Sequence, residues 1–161
     1  MTRTLLPIAL VSILVRVLFL AQVGEDPRFD QPISDLAVYH NWAIDWSNGE
    51  PYAQEPPGRP FWRSPGYAVF LTPLYSLFGE DQVATPRKVA ALQMLLGVLA
   101  TLAVCAFAFR RWGATAAWIT ALSIDLHAPS IFMEAVLLPV GLATPLLTFT
   151  GLLLLKLLAQ E

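Results

Sequence analysis

Long apolar runs separated by polar stretches are the dominant pattern of this chain. The first run is nearly uncharged and matches the roughly 20 residues that a helix needs to cross the hydrocarbon core of a bilayer. Three further runs follow a long polar stretch. We predict an all-α, polytopic membrane protein with about four transmembrane helices, in a single membrane domain 1–161, at 5–23, 88–109, 113–127 and 131–158.

The polar stretch at 24–85 contains a first short segment with helical features. Apolar and polar positions recur at helical spacing over 34–46. Ser34 is a candidate N-cap, because its hydroxyl can accept a bond from an amide of the first turn. Asn48 and Gly49 follow the last periodic residue, as residues that end a helix commonly do. We predict a short amphipathic helix here.

A second short helix is predicted from Ser64-Pro65 onward, since proline is common at the first position of a helix. The apolar segment that follows is too short to span a bilayer, and Gly79 closes it. Prolines at 54–60 prevent a helix between the two segments. The sequence therefore predicts an extracytoplasmic loop that carries juxtamembrane helices.

One face of the first loop helix combines an acid with aromatic rings. Asp35, Tyr39, Trp42 and Trp46 are spaced so that they share a face. A carboxylate beside aromatic rings suits a surface that handles sugars. Tryptophan and tyrosine are also typical of helices that lie at headgroup depth. The spacing alone favours this second interpretation, because aromatic belts are common.

Composition supports the membrane interpretation. The chain is 56% hydrophobic and 14% charged, and soluble domains have about 25% charged residues. The formal net charge of -2 gives no indication of nucleic-acid binding. Cys105 is the single cysteine, so the chain cannot form an internal disulfide.

The distribution of positive charge predicts the orientation. Arg3 precedes the first apolar run and Arg110-Arg111 ends the second, which places both in the cytoplasm. We interpret the first run as a retained anchor, because Arg16 interrupts what would be the apolar part of a signal peptide. An arginine is costly in lipid, so Arg16 should face the protein interior and meet an acid, for which Glu134 is a candidate.

Residues that could carry chemistry cluster on the predicted outer side. A carboxylate can act as a general base, an arginine can hold a phosphate, and two acids can bind a divalent cation. No glycine-rich nucleotide-binding motif is present, so a lipid-linked donor fits better than a nucleotide. The candidates are Asp35, Tyr39, His40, Trp42, Arg63, Asp125, His127 and Glu134.

Structural alternatives remain open for several of these candidates. Arg63 could contact a phospholipid headgroup. Glu134 could serve as the charge partner of Arg16. Asp125 and His127, close to Pro129, are typical of residues at an outer turn.

A series of short motifs runs along the whole chain. In this order, the motifs resemble the N-terminal portion of the GT-C integral membrane glycosyltransferases, specifically the bacterial dolichyl-phosphate-mannose-protein mannosyltransferase-like group. The matching residues are Arg16 in the first run; Asp35, Tyr39, His40, Trp42 and Ala43 in the loop; Phe61, Ser64, Pro65 and Tyr67, then Leu77, Phe78 and Gly79; Arg87, Gln93, Trp112 and Gly113; and Pro129, Ile131, Phe132 and Glu134.

The resemblance implies an enzyme that transfers a sugar from a polyprenyl-phosphate donor to an acceptor, working at the extracytoplasmic face of the bacterial inner membrane. It implies that Asp35 is the catalytic base or a metal ligand, with Mg²⁺ or Mn²⁺ as a candidate cofactor and membrane lipid as a further partner. It also implies a substrate-binding site that includes Tyr39, His40, Trp42, Arg63, Tyr67 and Glu134.

Two departures from the family pattern shape the alternatives. Val136 stands where a second acid is often found, and the family has many more crossings than this chain. We expect the chain to be the N-terminal part of a larger fold, which a second chain could complete. The alternative function is a non-catalytic membrane subunit or a polyprenyl-phosphate-sugar-binding module. A transporter is a third hypothesis, based on the broken helices and Arg16, but no internal repeat is visible.

Overall fold

The computed structural model describes residues 1–23, 34–50, 64–81 and 83–158. Within these ranges the chain is helical and contains no strand, so the predicted all-α fold is confirmed. We number the helices in chain order as α1 (Thr2–Val23), α2 (Asp35–Ser47), α3 (Gly66–Phe78), α4 (Ala84–Trp112), α5 (Ala114–Asp125), α6 (Ala128–Ala135) and α7 (Pro139–Leu158).

Three of these helices, α1, α4 and α7, are long and apolar enough to cross a membrane. Large apolar side chains on α1 and α7 point away from the protein, and soluble proteins rarely expose apolar surface of this extent. The three helices suggest a membrane protein. The exposed side chains on these two helices include Leu6, Leu10, Leu14, Val17, Leu18, Leu146, Leu147, Leu153 and Leu154.

Helix α4 is the centre of the bundle and packs against α1, α3, α5, α6 and α7. Ile8 of α1 lies in a buried cluster with Cys105 of α4 and with Ala117 and Ala121 of α5. Small side chains at such a contact let the helix backbones approach closely, so packing can hold the helices together without large interlocking residues.

Among the described residues the structure has three candidate crossings, where about four were predicted. The predicted crossing 113–127 corresponds to α5, which has 12 residues and is too short to span a bilayer. Helix α5 ends at Asp125, and α6 follows after a short turn. The predicted helix 131–158 is interrupted, because Val136 is extended and α7 begins only at Pro139. A residue that precedes proline is disfavoured in a helix, and proline is tolerated in a first turn. The break therefore follows from the position of Pro139.

Helices α2 and α3 form a hairpin at the end of the bundle where α4 begins. Both lie close to their predicted positions. Asn48 and Gly49 end α2, and Gly79 ends α3 with a φ of 87°, a conformation that glycine adopts without strain. Ser34 does not cap α2 as predicted, since its φ is 54° and its side chain makes no capping bond.

Candidate functional site

A buried ion cluster joins α1, α5 and α6. Arg16 donates from Nε to Oε2 of Glu134 at 2.7 Å and from Nη2 to Oε1 at 2.9 Å. Its Nη1 donates to Oδ1 of Asp125 at 2.8 Å. All three side chains are buried. The predicted pairing of Arg16 with Glu134 is confirmed, and it is bidentate, the strongest geometry for such a pair.

The second acid of the cluster is Asp125, which the sequence placed at an outer turn. Asp125 is the last residue of α5, beside the turn that leads to α6, but its side chain is only 1% exposed and lies between helices. Ser12 sits one turn before Arg16 and donates to Oδ1 of Asp125 at 2.9 Å, while its own hydroxyl accepts from Arg16 at 2.8 Å. Oδ2 of Asp125 is buried and has no hydrogen-bond partner. Ser12 was not predicted to take part, although a polar residue four positions before an arginine in an apolar helix indicates a possible partner on the same face.

Glu134 lies directly against the backbone of α4. A Cβ atom added at Gly97 would collide with the Glu134 carboxyl group, so glycine at this position makes room for the acid. The Thr101 hydroxyl donates to the Gly97 carbonyl at 3.0 Å, which ties up that carbonyl within α4. A close helix contact and an ion pair therefore depend on the same glycine.

Gln93 connects this cluster to the hairpin. Its side-chain nitrogen donates to the carbonyl oxygens of Glu134 and Val136, each at 3.1 Å. Its Oε1 accepts from the hydroxyl of Tyr67 at 2.5 Å. Carbonyls freed by a helix break must find donors when they are buried. Gln93 satisfies two of them between α6 and α7 and also fixes α3.

A cavity of about 270 Å³ opens beside Glu134, between α4, α5, α6 and α7. Each of the four helices contributes at least one residue with a hydroxyl group to its wall, between apolar residues such as Ala100, Val104 and Pro145. A smaller cavity of about 180 Å³ adjoins it and shares four of its lining residues, including His127, whose Nδ1 is 2.7 Å from the hydroxyl of Ser130. The polar residues of the larger cavity are Thr101, Ser123, His127, Ser130, Glu134, Thr144 and Thr148.

The aromatic residues predicted to bind a sugar lie in a protein core. Tyr39 is 6% exposed and Trp42 is 2% exposed, and both pack in the interface between α2 and α3. The ring of Tyr39 meets that of Tyr67 edge to face at 5.2 Å. Trp46 stacks on Trp42 at 6.3 Å. In this conformation the rings hold the hairpin together and present little surface to a ligand or to lipid headgroups.

His40 also belongs to the interior of the hairpin. It is 4% exposed, and its Nδ1 lies 2.6 Å from the hydroxyl of Tyr75. Burial lowers the pKa of His40, because the charged imidazolium loses water that the protein does not replace. This environment favours the neutral ring.

Asp35 remains accessible at the start of α2. Its side chain is exposed, in contrast to Tyr39 and Trp42 on the same helix. The structure therefore separates the predicted loop set into an exposed acid and a buried aromatic support. Arg63 lies outside the described residues, as do Phe61 and Trp62.

No group of three or more His, Cys, Asp or Glu side chains that could hold a metal ion is found in the described residues. Asp35 therefore belongs to no such group among these residues. Asp125 and Glu134 come together in the bundle, and both contact Arg16.

No protein-family model matches this chain, nor does any curated protein or solved structure. The functional argument therefore depends on the residues themselves.

Proposed function

We propose that the chain is the membrane-embedded, donor-side part of a glycosyltransferase that uses a polyprenyl-phosphate sugar at the membrane face where α2 and α3 lie. The order of motifs along the sequence carries this proposal. The exposed position of Asp35 supports it, because a general base must reach the hydroxyl from which it takes a proton.

In this proposal Asp35 removes the proton of the acceptor hydroxyl as that oxygen attacks the anomeric carbon of the donor. The bond from the anomeric carbon to the phosphate oxygen breaks, and the polyprenyl phosphate leaves with the electron pair. Attack from the face opposite the leaving group inverts the configuration of the sugar. Arg63 would neutralise the donor phosphate, as arginine does well through paired hydrogen bonds.

The buried rings have a supporting role in this proposal. Tyr39 and Trp42 fix α2 against α3, so that Asp35 is presented from a rigid helix rather than from a mobile loop. Glu134 stabilises the bundle through Arg16. In the proposed function Asp35 therefore acts directly on the substrate, and the other described residues hold its helix and the bundle in place.

The test is sugar transfer by membranes that contain the full chain, with a radiolabelled polyprenyl-phosphate sugar as donor. We expect Asp35→Asn to reduce transfer by at least about 100-fold, the range of general-base contributions. Glu50→Gln is the matched control, since Glu50 is an exposed acid just beyond the other end of α2. Equal transfer by wild type and a folded Asp35→Asn protein would remove Asp35 from the mechanism.

A second candidate is a non-catalytic subunit that binds the polyprenyl-phosphate sugar. Val136, which stands where the resembled family often has a second acid, favours it, because a chain that lacks this acid has one carboxylate fewer for chemistry. Saturable binding of the labelled donor without turnover, in wild type and in Asp35→Asn alike, would support this candidate.

A further inference from the structure

The cavity between α4 and α7 is lined in part by residues that carry hydroxyl groups, and it is not used in the proposed function. The hydroxyls come from Thr101 on α4, Ser123 on α5, Ser130 on α6 and Thr144 on α7. The carboxyl group of Glu134 forms part of the wall. Hydroxyl and carboxylate oxygens are the ligands that hard cations prefer. Apolar residues, among them Ala100, Val104 and Pro145, form much of the rest of the wall.

The ion cluster next to this cavity has an excess of negative charge. Arg16 provides one positive charge, whereas Asp125 and Glu134 together provide two negative charges when ionised. Arg16 is the single buried lysine or arginine among the residues that the structure describes. Oδ2 of Asp125 is buried without a hydrogen-bond donor, although Asp125 itself does not line the cavity. An unbalanced charge away from water is costly, so a positive partner would stabilise this region.

We propose that the cavity binds a monovalent cation, with Na⁺ as the probe, and that Glu134 is its anionic ligand. One positive charge balances the excess of one negative charge. A carboxylate has about four lone-pair sites, so the oxygens of Glu134 that accept from Arg16 can also contact a cation on the other side. Hydroxyls of Thr101, Ser123 and Thr144 would supply neutral oxygen ligands.

The size of the cavity also agrees with a cation that keeps part of its hydration shell. Water occupies about 30 Å³ per molecule in the liquid, so about 270 Å³ can hold an ion and several waters. A proton on one of the two acids is the competing way to balance the charge. The experiment below distinguishes the two, because only a cation makes stability depend on the identity of the salt.

The experiment measures the unfolding temperature of the purified full chain in detergent. NaCl is titrated against choline chloride at constant ionic strength, because choline is too large for an oxygen cage built for Na⁺. We expect a saturable rise, on the order of 5 °C when Na⁺ exceeds its dissociation constant by about 100-fold. An unfolding temperature that does not depend on Na⁺ would overturn the proposal. Dependence on pH without dependence on Na⁺ would also overturn it and would assign the balancing charge to a proton.

Thr144→Val tests the position of the site without touching the ion cluster. The change removes a lining hydroxyl and keeps the shape of the side chain. We expect the Na⁺ concentration at half effect to rise about tenfold. Thr150→Val is the matched control on the same helix, since Thr150 is exposed and does not line the cavity. Identical Na⁺ titrations of the two variants would contradict a site at this cavity.

Ser123→Ala provides a second lining variant from a different helix. It should weaken the Na⁺ effect in the same direction as Thr144→Val, because both hydroxyls face one cavity. Glu134→Gln should abolish the effect if the protein folds, since it removes the anionic ligand. A folded Glu134→Gln protein that keeps the full Na⁺ response would contradict the assignment of Glu134.

Discussion

The hairpin of α2 and α3 and the ion cluster of the bundle bury their side chains for opposite reasons. In the hairpin, aromatic residues of a polar stretch turn inward and pack on each other, as Tyr39 and Tyr67 do. In the bundle, charged residues of apolar helices turn inward and meet each other, as Arg16 and Glu134 do. Which side chains are buried in each region therefore depends on the surroundings of that segment. Aromatic rings are buried because this removes them from water, whereas charged side chains are buried because this removes them from apolar surroundings.

The two regions differ in how strictly they constrain their neighbours. Edge-to-face aromatic pairs tolerate small shifts, and they contribute about 0.5–1.5 kcal/mol beyond the area they bury. A bidentate ion pair requires the two side chains to meet at a defined distance and angle. The ion cluster should therefore fix the register of α1 against α6 more strictly than the aromatic rings fix α2 against α3.

The largest effect is expected from Arg16→Met. It leaves Asp125 and Glu134 buried without the arginine that pairs with both, and breaking a buried pair typically costs about 3–5 kcal/mol. The measurement is the free energy of unfolding in detergent by chemical denaturation. Arg3→Met is the control, because Arg3 is exposed, and its loss should change stability by less than about 0.5 kcal/mol.

A triple variant sharpens this result. Arg16→Met combined with Asp125→Asn and Glu134→Gln removes the charges together, and replacement of a whole buried ion network is often close to neutral. We expect it to recover most of the lost stability. A triple variant as unstable as Arg16→Met would show that packing of the arginine, rather than charge pairing, holds these helices.

A slightly smaller and more local effect is expected from Trp42→Ala. Truncation of a buried tryptophan typically costs about 3 kcal/mol or more, and here the cavity forms between α2 and α3. Hydrogen exchange should accelerate in α2 and α3 and remain slow around Arg16. Trp112→Ala is the control, since Trp112 is 69% exposed. Faster exchange across the entire bundle would contradict the separation of the two regions.

The smallest effect is expected from the pH dependence of the hairpin. The pKa of His40 is lower in the folded protein than in the unfolded chain, so the unfolded state binds more protons. Its contribution to stability is fully present above the unfolded pKa of about 6.5 and decreases as the pH falls below that value. His40→Gln should reduce this slope in unfolding experiments between about pH 7 and pH 5. An unchanged slope would remove His40 as its source.

Much of the helical layout was predictable from local signals. Apolar runs located α1 and α4, and Gly79 marked the end of α3 because the backbone there has a positive φ. The pairing of Arg16 with Glu134 was also predictable, since a charge among apolar residues requires an opposite charge. Each of these predictions depends only on the neighbours of a residue in the sequence or on the cost of leaving a charge unpaired.

Other features could not be predicted, because they depend on contacts between distant segments. Helical spacing placed Asp35, Tyr39 and Trp42 on one face, but it gave no indication that Tyr67 of α3 would cover the two rings. Asp125 has the local sequence of a turn residue, and nothing in that sequence indicates that Ser12 and Arg16 of α1 lie beside it. The positions of these residues depend on the packing of whole helices.

The sequence by itself determined that the chain is helical, that its helices are apolar enough for a membrane, and that Arg16 needs an acid. The tertiary structure was needed to show that Arg16 pairs with two acids, that Gln93 satisfies the carbonyls at the break before Pro139, and that a cavity opens beside Glu134. The physical reason is distance along the chain. Hydrophobicity acts on each segment separately, whereas Arg16 and Glu134 are separated by 118 positions and meet only when the helices pack.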